Sequence, residues 1–356
     1  MNNGSGPQPT DAAAPLGPAE PFVFTGSASE YYRIWIVNLM LTVVTLGIYS
    51  AWAKVRRLRY FYGNTLLQGH GFDYHADPVR ILIGRLIVVG TLMVVNILSQ
   101  TSPVFLLLIV PWLVALPWFI NQSLAFNAQM TSYRNLRFGF QGAYFAGLGA
   151  FVLMPLLAII SAGLLAPFSS GFRANYLGSH TRFGTAWFDT DAPLGRLYAN
   201  LGATMFFLIV LAVLVFGGLM LESRLVTGGS RDDRVAIFIL LGVISFYISY
   251  FLVFYAYRAG VRNIVFNTTT LDGGHRLSST LSRRRYVWIM ISNALMVLGT
   301  LGLLWPVASV RHWRYLAQST HFHPAGPLDG FLGRESQKSS VAAAEYLDLG
   351  GFDFGL

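Results

Sequence analysis

Seven apolar runs constrain this chain more than any other feature: 34–53, 81–98, 104–126, 144–167, 199–221, 235–257 and 287–310. None of them contains an aspartate or glutamate. A helix crossing the ~30 Å hydrocarbon layer needs about 20 mostly apolar residues, and each run meets or approaches that length. Only 12% of the residues are charged against 54% hydrophobic, whereas a soluble domain is charged at roughly a quarter of its positions. The net charge of +9 fits either nucleic acid or anionic lipid as a partner; the apolar runs select lipid. With no cysteine, disulfides and thiolate metal sites are excluded. The fold expected is an all-α polytopic membrane protein, a helical membrane bundle with internal repeats and short cytoplasmic β ribbons.

Basic residues follow the first run (Lys54, Arg56, Arg57, Arg59), the third (Arg134, Arg137), the sixth (Arg258, Arg262, Arg276, Arg283, Arg284, Arg285) and the seventh (Arg311, Arg314). Loops rich in Lys and Arg stay in the cytoplasm. Seven single crossings would put the ends of the third and sixth runs on opposite sides, so one basic block would face outward. The connections 99–102 and 222–234 are uncharged or charge-balanced and read as the outside loops.

An internal repeat offers a way out, and self-similarity of this kind identifies an architecture. Phe22-x-Phe24-x-Gly26 recurs as Phe138-x-Phe140-x-Gly142, an offset of 116, at which Gly47, Tyr60 and Thr65 also match Gly163, Tyr176 and Thr181. At an offset of 255 they match Gly302, Tyr315 and Thr320, and Asn38 matches Asn293. Three repeat copies (22–65, 138–181, 277–320) thus alternate with two transmembrane hairpins (81–126, 199–257). If each copy enters and leaves from the cytoplasm, bending at Gly47, Gly163 or Gly302, every basic block shares one side; seven straight crossings that break the charge rule are the alternative. Period-2 aromatics beside the copies, such as Phe22-Val23-Phe24 and Thr320-His321-Phe322, argue for short strands. The membrane domain is expected over 22–330. Residues 1–21, Pro/Gly/Ala-rich and without a basic n-region, read as a disordered cytoplasmic tail rather than a signal peptide, and 331–356 as a polar C-terminal tail.

The block EYYRIWIVNLMLTVVTLGIYSAWAKVRRLRYFYGNT, with FNAQMTSYRNLRFGFQG and VRNIVFNTTTLDGGHR, resembles the YjgN-like family of bacterial inner-membrane proteins. The resemblance covers about 22–323 and implies a multi-pass protein of the bacterial inner (plasma) membrane. It carries over no catalytic or binding residues.

Candidate sites are few. Lys54, Arg56, Arg57 and Arg59 interleave with aromatics, and Arg283, Arg284 and Arg285 form a second cluster; both read as topology anchors or as contacts for anionic lipid headgroups. Asn38, Asn293 and Arg85 are polar groups inside apolar runs. The first two suit interhelical hydrogen bonds, and the arginine suits snorkelling to the interface. His70, Asp73, His75 and Asp77 lie close in sequence, but this spacing is not specific for a metal. No P-loop, HExxH or G-x-S-x-G occurs, so neither enzyme nor cofactor is expected. The expected function is transport of a small molecule or lipid, without a buried acid for ion coupling. The alternative is a non-catalytic scaffold or anionic-lipid-binding protein, with membrane lipids as the expected partners.

Overall fold

The computed structural model describes residues 17–225 and 231–350, and it corrects the expected fold class. The short strands do not form isolated ribbons. Among the described residues they join one antiparallel sheet of eleven strands, whose first and last members in spatial order are β1 (Glu20–Pro21) and β2 (Val23–Phe24). These are successive stretches of a single extended segment: Pro21 pairs with His321 on one side and Val23 with Leu66 on the other. The sheet therefore closes on itself, and Phe22 bonds the carbonyl of Thr320 across the seam at 3.1 Å.

Its remaining strands are β3 (Thr65–Leu67), β4 (His70–Tyr74), β5 (Thr131–Tyr133), β6 (Leu136–Phe140), β7 (Thr181–Phe183), β8 (Ala186–Thr190), β9 (Thr269–Leu271), β10 (His275–Ser279) and β11 (Thr320–His323). Tight turns at 68–69, 134–135, 184–185 and 272–274 join the pairs β3–β4, β5–β6, β7–β8 and β9–β10 at one rim. Gln68 and Arg134 take φ of 48° and 49° there, followed by Gly69 and Asn135 at 78° and 66°, the double positive φ that two-residue hairpins require.

All helical excursions start and end at the opposite rim. Each leaves one strand and returns on its paired neighbour: Phe24 pairs with Thr65, Tyr74 with Thr131, Phe140 with Thr181, Thr190 with Thr269, and Ser279 with Thr320. The five helix pairs are α1 (Ala28–Val44) and α2 (Ser50–Gly63); α3 (Pro78–Thr101) and α4 (Ile109–Gln129); α5 (Tyr144–Ile160) and α6 (Ala166–Ser179); α7 (Leu194–Leu225) and α8 (Arg231–Phe266); α9 (Arg283–Gly299) and α10 (Trp305–Gln318). Every returning helix passes into its strand through a threonine. The hydroxyls of Thr65, Thr131, Thr181, Thr269 and Thr320 each donate to the carbonyl four residues back, at 2.6–2.8 Å, satisfying a helix-end acceptor that would otherwise lack a partner.

The number of spans changes as well. Among the described residues three helices are long and apolar enough to cross a membrane: Pro78–Thr101, Ile109–Gln129 and Phe238–Phe266. The runs at 34–53, 144–167 and 287–310 are each divided by a reversal. Leu46 and Gly47 have φ of 49° and 93°, Ala162 and Gly163 of 49° and 90°, Leu301 and Gly302 of 49° and 90°. At each reversal the glycine amide reaches back five residues, to Thr42, Ala158 or Val297. A window of mean hydropathy cannot register such a break, because leucine and alanine keep the average high through the turn. At 1.5 Å per residue, α1 with 17 residues extends about 25 Å and α2 with 14 about 21 Å, short of the ~30 Å layer. α5 contains a π-helical turn at Gly149–Leu153 directly before Pro155, where the missing proline N–H is absorbed.

The segment that composition places in a polar tail is a helix, α11 (Leu328–Gly350). Its first turns pack into the turn-bearing rim, where Leu328, Phe331 and Leu332 join the buried barrel cluster with Tyr133, Leu136, Phe183 and Phe322. Residues 1–16, which carry most of the expected N-terminal tail, lie outside the described residues.

Candidate functional site

Alternation along the strands gives the barrel an apolar lining and a polar coat. Phe72, Tyr133, Phe138, Phe183, Phe188, Leu271, Leu277 and Phe322 line the interior, whereas Asp73, Arg137, Asp189 and Arg276 are exposed. A membrane-spanning barrel shows the reverse pattern, with an apolar belt outside. This barrel is therefore built for water. The exposed apolar surface lies on the helical side instead, where Leu46 and Leu301 at the reversals are 94% and 95% accessible.

The side chains do not fill the barrel. A cavity of about 470 Å³ remains along its axis. Phe72 packs on Tyr133 with centroids 4.8 Å apart, and Phe138 on Phe183 at 4.7 Å, so rings form the wall while the centre stays open. At the turn-bearing rim Leu328 and Phe331 of α11 form the floor. At the helical rim the ends of the returning helices form the mouth. Phe266 of α8 and Trp313, Leu316 and Ala317 of α10 line the first cavity. Leu124 of α4 and Leu177 of α6 line an adjoining space of about 420 Å³ that shares Phe22, Phe72, Phe138 and Trp313 with it.

Among the described residues, Arg262 of α8 is the one charged side chain lining this interior. Its guanidinium lies over the Phe266 ring, 4.0 Å from the centroid. One terminal nitrogen donates to the Thr320 hydroxyl at 2.9 Å, and the buried Nε has no partner. A cation with an unmet donor beside an apolar chamber favours an anionic or strongly accepting group. Trp313 fixes the mouth across the seam, donating from Nε1 to the Thr65 hydroxyl at 2.9 Å.

The floor is held at three hairpin turns. Asp329 pairs with Arg134 at 2.5 Å. Glu335 accepts from the Thr185 amide at 3.0 Å and from its hydroxyl. His275 accepts at Nδ1 from the Ala325 amide at 3.1 Å, its ring 4.5 Å from that of Phe331. Burial raises the Glu335 carboxyl, but the bonds from Thr185 and Lys338 outweigh it and hold the group below the usual carboxylate range. Burial, with Arg334 nearby, pushes His275 down, which favours the neutral imidazole that accepts this bond.

The residues singled out from sequence are distributed as follows. Arg56 donates to the Tyr49 hydroxyl at 3.1 Å and Arg59 to the Tyr74 carbonyl at 3.1 Å. Lys54, Arg57, Arg85 and Asn38 share a groove outside the barrel. Arg283, Arg284 and Arg285 are exposed in the first turn of α9, an electrostatically unfavourable helix end for cations, with Arg285 lying 5.2 Å from the Tyr315 ring centroid. Asn293 donates to the Ala308 carbonyl at 3.1 Å. His75 meets the Ser132 hydroxyl at 2.8 Å and Asp77 caps α3 through the Val79 amide; they do not converge on a metal site. The cavity and Arg262 escape sequence reasoning. The available signal was the fivefold Thr-x-(Leu/Tyr/Phe) triplet at Thr65, Thr131, Thr181, Thr269 and Thr320, each supplying one inward side chain.

Residues 19–349 match the family described as "Bacterial protein of unknown function (DUF898)". The chain belongs to this family. It is similar to the inner membrane protein YjgN of Salmonella typhimurium (strain LT2), with 26% identity over 86% of this chain and 89% of the relative. It also resembles the protein of that name in Escherichia coli O157:H7, with 24% identity over 90% and 92%. No solved structure matches this chain. The resemblance read from the first basic block thus holds along nearly the whole chain.

Proposed function

We propose that this is a multi-pass, non-catalytic protein of the bacterial inner membrane that shelters the apolar part of a membrane-derived amphiphile inside a water-facing barrel. The cavity supports this reading. Its volume of about 470 Å³ falls in the ordinary range of small-molecule sites, about 300–1,000 Å³, and is roughly three times an engineered apolar cavity that stays dry and takes up apolar ligands. The mouth opens among the ends of helices that run toward the membrane, so an acyl chain could enter without crossing bulk water. α11 closes the opposite end, which favours holding a ligand over passing it through and supports lipid binding rather than transport.

The barrel is assigned to the cytoplasmic side, with both termini, because Lys54, Arg56, Arg57, Arg59, Arg134 and Arg137 then obey the charge rule together. The common geometry of Gly47, Gly163 and Gly302 further supports descent from one duplicated unit. The test is native mass spectrometry of full-length protein purified from the membrane, with lipid analysis of what it carries. A retained single-chain or two-chain lipid is expected in wild type. Leu271→Trp with Leu277→Trp, which fill the chamber, should lower its occupancy at least tenfold while the protein stays monodisperse. Unchanged occupancy in the filled variant would remove the barrel from the account.

A further inference from the structure

A separate cavity of about 540 Å³ lies outside the barrel, between α1, α2, α3 and the start of α10. Lys54 and Arg57 of α2 and Arg85 of α3 line it, with Trp35 and Trp305 at its sides, and no carboxylate is among its lining residues. Arg85 is held in place by donating to the Ser50 hydroxyl at 2.5 Å. Three cations sharing one partly sheltered space repel one another unless an anion joins them.

Asn38 supplies an independent observation. It is 7% exposed, lines the same cavity, and its Oδ1 has no partner. Its counterpart Asn293 in the third repeated unit donates to Ala308 and accepts from Arg311 at 3.4 Å. The same position is thus closed by internal bonds in one unit, whereas in the other its buried Oδ1 is left without a partner beside three cations. Arg85 lies seven residues into α3, about 10 Å along the axis by the helical rise, which places the groove near the start of a candidate span.

We infer that this groove binds the phosphate of an anionic glycerophospholipid whose headgroup carries a free hydroxyl, as in phosphatidylglycerol. The phosphate meets Lys54, Arg57 and Arg85 through charge-assisted hydrogen bonds, the hydroxyl satisfies Asn38 Oδ1, and the acyl chains lie on the apolar flank of α1 and α3. The inference rests on the membrane placement proposed above and is independent of the barrel cavity. It also divides the first basic block by role: Lys54 and Arg57 belong to the site, whereas Arg56 and Arg59 bond elsewhere.

The experiment uses full-length protein in nanodiscs of mixed phosphatidylglycerol and phosphatidylcholine, followed by detergent exchange and native mass spectrometry. Wild type should retain one phosphatidylglycerol, and Lys54→Gln with Arg57→Gln and Arg85→Gln should lower that retention at least tenfold. Arg56→Gln with Arg59→Gln, which remove charge outside the groove, should leave retention within twofold. Should the triple variant not fold, the exposed Arg57→Gln alone should still lower retention several-fold. Retention in both groove variants, or equal loss in the control, overturns the site. Release of the lipid by millimolar glycerol 3-phosphate would show a soluble phosphate site and overturn the lipid assignment. Barrel occupancy, read in the same spectra, should not change in these variants; its absence in wild type would count against the barrel reading alone.

Discussion

At the scale of single residues, the tyrosine and glycine identities at offsets of 116 and 255 have physical tasks. The hydroxyls of Tyr60, Tyr176 and Tyr315 donate to the carbonyls of Ser27, Ala143 and Ser282, positions related by the same offsets of 116 and 255, and so tie each returning helix to the start of its partner. Gly26 is required by closeness: a Cβ there would lie 2.8 Å from the Tyr60 hydroxyl and still nearer the Phe24 ring. Gly47 is required by its φ of 93°, with open space around it. The two substitutions should therefore differ. Gly47→Ala carries a backbone cost of about 1 kcal/mol, while Gly26→Ala adds a packing clash and costs about 1–3 kcal/mol. Thermal unfolding in detergent should rank Gly26→Ala below Gly47→Ala, and the reverse order would refute this division of roles. Tyr60→Phe should cost about 1 kcal/mol by loss of one hydrogen bond. These positions were legible because a tyrosine hydroxyl or a left-handed turn admits few alternatives. Arg262 was not, since nothing local distinguishes it from Arg258 one turn earlier.

At the scale of elements, helices were legible and the sheet was not. Alternation marked short strands at Phe22–Phe24 and Thr320–Phe322, but strands of two to five residues carry no sign of their partners, which lie far along the chain, as with Tyr74 and Thr131 or Thr190 and Thr269. Pairing that distant leaves no trace in a local window. α11 was obscured in the same way, because its apolar face is only Leu328, Phe331 and Leu332 before a polar stretch. Its latch should respond to acid. His275 has a lowered folded-state pKa, so the unfolded state binds more protons, and the bond to Ala325 loses stability as pH falls below the usual histidine value of about 6.5. Glu335 has a lowered pKa, so its contribution is present above the unfolded carboxylate pKa and is lost as pH falls through the folded one. Both act in the same direction, His275 at the higher pH. Hydrogen exchange, normalised to the base-catalysed intrinsic rate at each pH, should show the amides of α11 less protected at about pH 5.5 than at about pH 7.5. His275→Gln should flatten that dependence; an unchanged dependence would assign the response to other groups.

At the scale of the whole molecule, five helix pairs rise from one rim of a closed barrel and a capping helix closes the other. The first and last units meet along the seam, where Phe24, Tyr31 and Phe61 pack on Val310 and Ala317, so the ring is closed in its helical layer as in its strands. One-sided topology follows from the strand register. Single cysteines introduced at Gln68, Asn135 and Gly274 into this cysteine-free chain should all be protected from an impermeant reagent added outside intact cells, and all react once the membrane is opened. Labelling of one alone from outside would contradict the common rim. The proposed role of the barrel interior is that of a lipid site. Its most direct measurement is photocrosslinking of full-length protein in membranes with a long-chain fatty acid bearing a diazirine near its methyl end, mapped by mass spectrometry. Adducts should form on barrel-lining residues such as Phe72, Phe138, Phe183 and Phe322 and be lost when Leu271 and Leu277 are changed to tryptophan. Adducts confined to the outer faces of α3, α4 and α8 would contradict it.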